Sequence, residues 1–394
     1  MSSLLRTDSP PSSAPRGWRD RWLALRDRWL ASTAFQRNAA RFPLTRGIAR
    51  RRAAQVFDLV AGFVYSQVLA ACVRLDLFDK LAEGPQTLQA LAPRLGLDGA
   101  AAERLLAAAV ALELVERRSG DRFGLGVLGA PLVGNAGIAA MVRHHALLYA
   151  DLADPVALLR GEISGAQLAS YWPYAGAAEP GAASADQVAA YSALMSASQP
   201  LVADALLEAV DFRRHRCLLD VGGGEGGFLI AAAARAPRLQ LRLFDLPAVA
   251  ERASHCLAAA GLAERSHAFA GSFLADPLPQ GADVVTLIRV LHDHDDGRVM
   301  TLLRGVHRAL PPGGRLVVAE PMAETRGAEA MGDAYFGFYL LAMGRGQPRT
   351  AARLAQMLGD AGFVSMRVVD TAQPLQTRLL LARTPSAKTL NATT

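Results

Sequence analysis

The chain has 394 residues, a formal net charge of +6, 51% hydrophobic and 20% charged residues. That length suggests two or three domains at roughly 150 residues each, and such apolar content excludes disorder as the general state. Three cysteines (Cys72, Cys217, Cys256), none in CxxC spacing, exclude a disulfide framework and a cysteine-built zinc site and point to a reducing cytoplasm.

The charge is uneven. Residues 1–55 carry twelve arginines against Asp8, Asp20 and Asp27, a net of +9, so the remainder sums to −3. This basic arm opens with a Ser/Pro stretch, Ser9–Ser13, expected to lack fixed structure. No apolar run before a small-residue cleavage site marks a signal peptide. A helix follows with Trp18, Trp22, Leu25 and Trp29 on one stripe between Arg19, Arg21, Arg26 and Arg28. Such a helix suits either an anionic membrane surface or a dimer partner. Val56–Val73 is apolar but holds Asp58, Ser66 and Gln67 and barely reaches bilayer length, so a buried helix is expected.

Residues 56–134 read as a compact helical unit. Thr87 and Asp98 cap two helices, Gly96 ends the first, and Ser119-Gly120-Asp121 turns a hairpin between Val115–Arg118 and Arg122–Leu125. This is a winged-helix pattern. Its charge argues for protein contact over nucleic acid: residues 56–150 hold eight basic and nine acidic side chains. Residues 135–212 form a helical linker and substrate-binding region, interrupted at Tyr171–Tyr174 and Ala175–Ser184.

From 213 to 394 strand and helix alternate. Strands are expected at Cys217–Val221, Leu239–Asp245, Ala268–Gly271, Val284–Val290 and Leu316–Glu320, with helices near 226–235, 248–260, 296–310 and 350–361. Val364–Asp370 and Arg378–Ala382 should pair antiparallel. The fold class is α/β, a doubly wound Rossmann-like sheet with one reversed strand in a terminal hairpin.

Three motifs carry chemistry. Leu218–Gly227 (LLDVGGGEGG) is a strand entering a glycine turn that opens a helix, so a ligand can lie against its backbone. Gly222, Gly224 and Gly227 satisfy GxGxxG, which alone would admit a dinucleotide. Asp220, just before the glycines, suits the ammonium end of S-adenosylmethionine (SAM). Asp245, 23 residues after Gly222, is placed to accept two ribose hydroxyls, with an N-cap for the helix at Pro247 as the alternative. In Val290–Asp296 (VLHDHDD), His292 ends the fourth strand, where open α/β sheets bind ligands. It can serve as a general base. Capping explains Asp295 and Asp296 but not His292, and a metal on His292 and His294 would lack further ligands.

LDVGGGEG, FDLP, GSF, VLHDHDD and VAEP together resemble the SAM-dependent O-methyltransferases of the plant caffeate and bacterial antibiotic type, over nearly the whole chain after residue 55. Residues 56–134 look like their winged-helix dimerisation domain, implying a homodimer. Residues 40–46 and 57–69 resemble the carotenoid branch, the hydroxyneurosporene (demethylspheroidene) methyltransferases. The resemblance implies His292 as catalytic base oriented by Glu320. It implies SAM held by Asp220, Gly222, Gly224, Asp245, Leu246, Ser272, Phe273 and Arg289, without a metal. Three positions depart from the pattern: Ser272 replaces an adenine-binding Asp, Pro348 a second orienting Glu, and His294 a Trp.

The implied reaction is methylation of the tertiary hydroxyl of a carotenoid. Tyr335–Met343, with Met141, Tyr149 and Met195, is the candidate wall of a long apolar acceptor pocket. Other readings are a methyltransferase on a different pigment or aromatic acceptor, including C-methylation of a chlorin, a SAM-sensing winged-helix regulator, and a nicotinamide oxidoreductase. The expected location is cytoplasmic, with peripheral contact to the membrane through the arm.

Overall fold

A computed structural model describes residues 17–171, 195, 199–372, 374 and 377–386. The Ser9–Ser13 stretch and the interruptions at 172–184 lie outside the described residues.

The arm forms α1 (Trp18–Ala31) and α2 (Thr33–Arg41), then runs into the long α3 (Arg46–Arg74). The tryptophan stripe is on α1 as its spacing predicts and is largely exposed: Trp18 is 84% exposed and no α1 residue is buried, while Trp29 stacks on Phe35 of α2 at 6.4 Å. The expected burial of Val56–Val73 is overturned. Only Ala70, Cys72 and Val73 of α3 are buried, while Phe57, Leu59, Val60 and Phe63 are exposed, Leu59 by 85%. Apolar patterning registers that a face is hidden from water, not which molecule hides it. α3 is long and apolar enough to cross a membrane, but its last turns are built into the protein core. The exposed stretch from Val56 to Val64 rises only about 14 Å at 1.5 Å per residue, under half a bilayer core.

The helical unit follows with α4 (Leu77–Ala82), α5 (Leu88–Arg94) and α6 (Gly99–Ala111). The Thr87 hydroxyl accepts the Ala90 N–H and Asp98 Oδ1 the Ala101 N–H, at 3.3 and 2.7 Å. Their apolar faces meet around Cys72, Leu77, Leu91, Leu106 and Val115. β2 (Val115–Arg118) and β3 (Arg122–Leu125) make the expected hairpin; β1 (Gln86–Thr87) adds a third strand in the order β1-β3-β2. Two residues show no periodicity, so β1 was beyond pattern reading. α7 (Ala136–Asp151) then packs along α3.

The C-terminal sheet comprises β4 (Cys217–Val221), β5 (Gln240–Asp245), β6 (Ser266–Ala270), β7 (Val284–Ile288), β8 (Arg315–Glu320), β9 (Val364–Val369) and β10 (Arg378–Arg383), in the order β6-β5-β4-β7-β8-β10-β9. β10 alone runs against its neighbours β8 and β9, as the terminal hairpin requires. Every residue of β4 and β7 is buried, because helices cover both faces of a parallel sheet. The strand order reverses between β4 and β7, which opens a crevice at their carboxyl ends. Strand boundaries agree with expectation to within one residue except at two places. β6 starts two residues earlier. β7 stops at Ile288 because Arg289 takes a left-handed φ of 54°, which turns the chain sharply out of the sheet.

Candidate active site

The crevice is a cavity of about 520 Å³ lined by Asp220, Gly222, Gly224, Asp245, Leu246, Ser272, Phe273 and Arg289, and further by Asp293 and His294. Eight residues predicted from sequence to bind a cofactor are therefore brought to one space. The parallel register sets Asp220 beside Thr286, whose hydroxyl donates to Asp220 Oδ1 at 2.6 Å. Asp220 Oδ2 is buried without a hydrogen-bond partner among the described residues. Burial pushes this carboxyl up to about 7, against the Thr286 bond and with repulsion from Asp245 adding to it. A buried acceptor in this condition calls for a donor, which a ligand ammonium would supply.

The glycines admit that ligand. Gly222 (φ 71°) and Gly224 (φ 58°) take left-handed conformations, and a Cβ on Gly222 would stand 2.8 Å from Val290 Cγ2. Asp245 does not cap the helix Pro247–Ala259. Its Oδ1 accepts the Leu246 N–H at 2.7 Å and its Oδ2 accepts the Gly224 N–H at 2.9 Å. Those two bonds tie the carboxylate to the glycine loop at the cavity wall, leaving lone pairs for hydroxyl donors. Burial raises Asp245 to about 6. Arg289 donates to Gln199 Oε1 at 2.9 Å, and both residues line the cavity.

His292 sits on a short 3₁₀ turn, Leu291–Asp293, just past β7. Glu320, at the end of the neighbouring β8, holds this turn with both oxygens. Oε1 accepts the Val290 and Leu291 N–H groups at 2.9 and 2.6 Å, and Oε2 bonds His292 Nδ1. Nδ1 thus carries the proton, and Nε2 is the basic nitrogen. Burial opposes a charged imidazole here, but the carboxylates of Asp293 and Glu320 outweigh it and raise His292 to about 8. Asp293 Oδ1 lies 3.1 Å from His292 Nε2, and burial lifts Asp293 to about 6. Sequence reasoning named neither this role for Asp293 nor any for Arg349, which grips the same turn. His292 Nδ1 is committed to Glu320, His294 packs its ring 5.1 Å from Phe273, and no metal-binding cluster occurs among the described residues.

The acceptor wall departs slightly from a plain helix: a π-helical turn, Ala330–Tyr335, leads into the helix Phe336–Met343. Tyr339, Leu340 and Met343 join Leu148, Leu158 and Leu168 in an apolar cluster, with Met195, Tyr335 and Phe336 against it. The Phe336 ring lies 5.8 Å from His292, so this wall reaches the imidazole. Met141 touches the Tyr335 hydroxyl at 3.9 Å, whereas Tyr149 is half-buried outside the cluster. His144 and His145 of α7 meet Tyr339 and Tyr335 at 2.8 Å each, and burial depresses His144 to about 4.

Comparison with known proteins agrees with this geometry. The O-methyltransferase domain model matches residues 149–364, and the O-methyltransferase dimerisation domain model matches residues 57–135. A demethylspheroidene O-methyltransferase of Cereibacter sphaeroides is 46% identical, covering 91% of this chain and 94% of its own. The aclacinomycin 10-hydroxylase RdmB of Streptomyces purpurascens is 34% identical over 77% of this chain and 82% of its own. Human N-acetylserotonin methyltransferase, solved in complex with SAM, superposes with a TM-score of 0.69 at 25% identity, covering 85% of this chain and 98% of that one. The glycine turn, the strand-end histidine and these matches establish one conclusion: the chain belongs to the O-methyltransferase family.

Proposed function

We propose that this protein transfers the methyl group of SAM to the tertiary hydroxyl of a hydroxylated carotenoid, with His292 as general base. The observation that carries the reading is the His292–Glu320 pair, with Phe336 of the apolar wall against the imidazole and the adjoining Asp293 and His294 lining a cavity that holds an unpartnered buried carboxylate. The name of the Cereibacter relative supports the acceptor. Bound SAM would supply a methyl group on a sulfonium leaving group, so the protein needs only to align the reactants and take a proton. Asp220 is placed to hold the ammonium end, and Asp245 the ribose. Leu246, Ser272 and Phe273 border the remaining space. A tertiary alcohol is far less acidic than a phenol, so His292 Nε2 accepts the proton as the C–O bond forms. The thioether departs in the same step. Asp293 and Glu320 then face the imidazolium from both sides.

Incubation with labelled SAM and a panel of hydroxylated carotenoids, bacteriochlorophyllides and phenols tests this. Label is expected on a hydroxycarotenoid oxygen; transfer to none of the hydroxycarotenoids would discard the acceptor assignment. The same panel separates methyl transfer from the hydroxylase activity named for one relative.

We also read the chain as an arm (1–55), a dimerisation unit (56–134), a helical linker (135–212) and a catalytic unit (213–394). The exposed face of α3 between Val56 and Val64 falls mostly within the stretch matched by the dimerisation domain, which supports a homodimer partner for it. The arm lies outside that stretch. Its exposed tryptophans beside Arg19, Arg21, Arg26 and Arg28 fit the interface of an anionic bilayer, where a lipophilic acceptor would dissolve. Deleting residues 1–35 is expected to weaken binding to anionic vesicles at least about tenfold, in a salt-dependent way, while transfer to a detergent-dispersed acceptor persists. Unchanged vesicle binding would refute the assignment.

A further inference from the structure

The turn that presents His292 is held from two opposite sides. Glu320 takes its N–H groups. Its carbonyls go elsewhere, to a residue outside the expected site. Arg349 is buried, and its guanidinium donates through Nη1 to the Leu291 carbonyl and through Nη2 to the His294 carbonyl, both at 2.7 Å. Its Nε donates to Asp296 Oδ1 at 2.9 Å. The flanking chain is tied to the same place: the Gln347 N–H donates to the His292 carbonyl at 2.9 Å. Gly346 (φ 86°) lies so close that a Cβ there would stand 2.2 Å from that carbonyl.

We propose that Arg349 is a positioning residue for the base: it fixes the Leu291–His294 backbone so that His292 stays in line with Glu320. The inference rests on His292 being the base. The geometry gives it a specific logic. Pro348 has no side chain that could orient an imidazole, and the next residue reaches the carbonyls framing the base. One planar fork spans the turn, holding the carbonyls before and after His292 while Asp296 holds the fork. A lysine ammonium is a point charge and cannot reproduce three directed bonds. Asp296 is in turn fixed by Gln347 Nε2 at 2.9 Å and by Arg353 Nη2 at 2.7 Å.

The test uses the full-length protein with Arg349→Lys and Arg349→Gln. A misplacement of about 1 Å at a reacting group costs on the order of 100-fold. The expected result is therefore a kcat lower by about 10- to 100-fold, with KM for SAM changed less than about twofold. The pH profile supplies the readout that simple loss of structure would not move. The groups facing His292 are Asp293 and Glu320, which raise its proton affinity, and Arg289, which lowers it. If the turn slips, contact with Glu320 weakens and the acid limb of kcat moves to lower pH. Arg94→Ala, which breaks an exposed ion pair with Glu83 in the helical unit, should leave both readouts unchanged. A kcat within about threefold of the parent, or a lower kcat on an unmoved acid limb, overturns the proposal. Should the Arg349 variants not fold, Asp296→Asn, which loosens the guanidinium from outside the turn, carries the same expectations. His292→Asn separates the two readings. If it retains transfer, the base assignment falls and the clamp with it. If it abolishes transfer while the Arg349 variants behave as the parent, only the clamp falls.

Discussion

Substituting His292 by asparagine is expected to slow methyl transfer by about 10²- to 10⁴-fold, the range in which a positioned general base contributes. Asparagine can still donate toward Glu320 but has no nitrogen lone pair to accept the proton from the acceptor oxygen. Binding of SAM should be nearly unchanged, because Asp220, Asp245 and the glycine turn do not depend on the imidazole. The pH dependence gives a second check. With His292 raised to about 8 by Asp293 and Glu320, it is mostly protonated at neutral pH and cannot act as a base. The rate with an alcohol acceptor should therefore climb as pH rises toward 8 and then level. A flat profile from about pH 6 to 9, or an asparagine variant within about tenfold of the parent, would show that no base of this pKa limits the reaction. Transfer to a carbon nucleophile of a chlorin would produce that outcome.

Replacing Asp220 by asparagine should cost cofactor affinity about 2–5 kcal/mol, the penalty for removing one partner of a buried hydrogen-bonded charge pair. That is roughly 30- to several-thousand-fold in Kd. The substituted amide would retain the contact with Thr286 but present no charge to an ammonium. The sign of the pH effect follows from burial. Burial holds Asp220 at about 7, and a neighbouring cation favours its ionised form. Binding below about pH 7 must therefore expel a proton, and affinity should fall as pH drops through that value. Calorimetry in buffers of different ionisation enthalpy would detect the released proton. Affinity that stays constant between about pH 6 and 8, with the asparagine variant binding as tightly as the parent, would remove Asp220 from the ammonium site.

The parts of the structure set by local patterning were readable in the sequence. β4 and β7 announce themselves as short, continuous apolar runs, and the Gly222–Gly227 turn by its composition. His292 could be placed because strand ends are where such sheets carry chemistry. The orientation of Asp245 could not be: capping and ribose binding ask for the same residue type, and only its bonds to Gly224 and Leu246 show that it does not cap the helix. Arg349 was out of reach for a different reason. It binds main-chain carbonyls more than fifty residues away, and a carbonyl leaves no trace in amino-acid identity. The single signal was its place directly after Pro348, in the segment where an orienting carboxylate was missing. The burial of α3 failed because one sequence does not distinguish an intramolecular neighbour from an intermolecular one.

That bare stretch of α3 bears on how stability should be measured. A chain that leaves Phe57, Leu59, Val60 and Phe63 in water has not completed its hydrophobic burial by folding alone. Where a homodimer partner covers this face, the rest is gained on association, and folding and assembly become one equilibrium governed by mass action. The midpoint of thermal unfolding then rises with protein concentration, and a value obtained at one dilution describes that dilution only. Substitutions on this face would register as shifts in that concentration dependence, at a distance from the active site and without touching its chemistry.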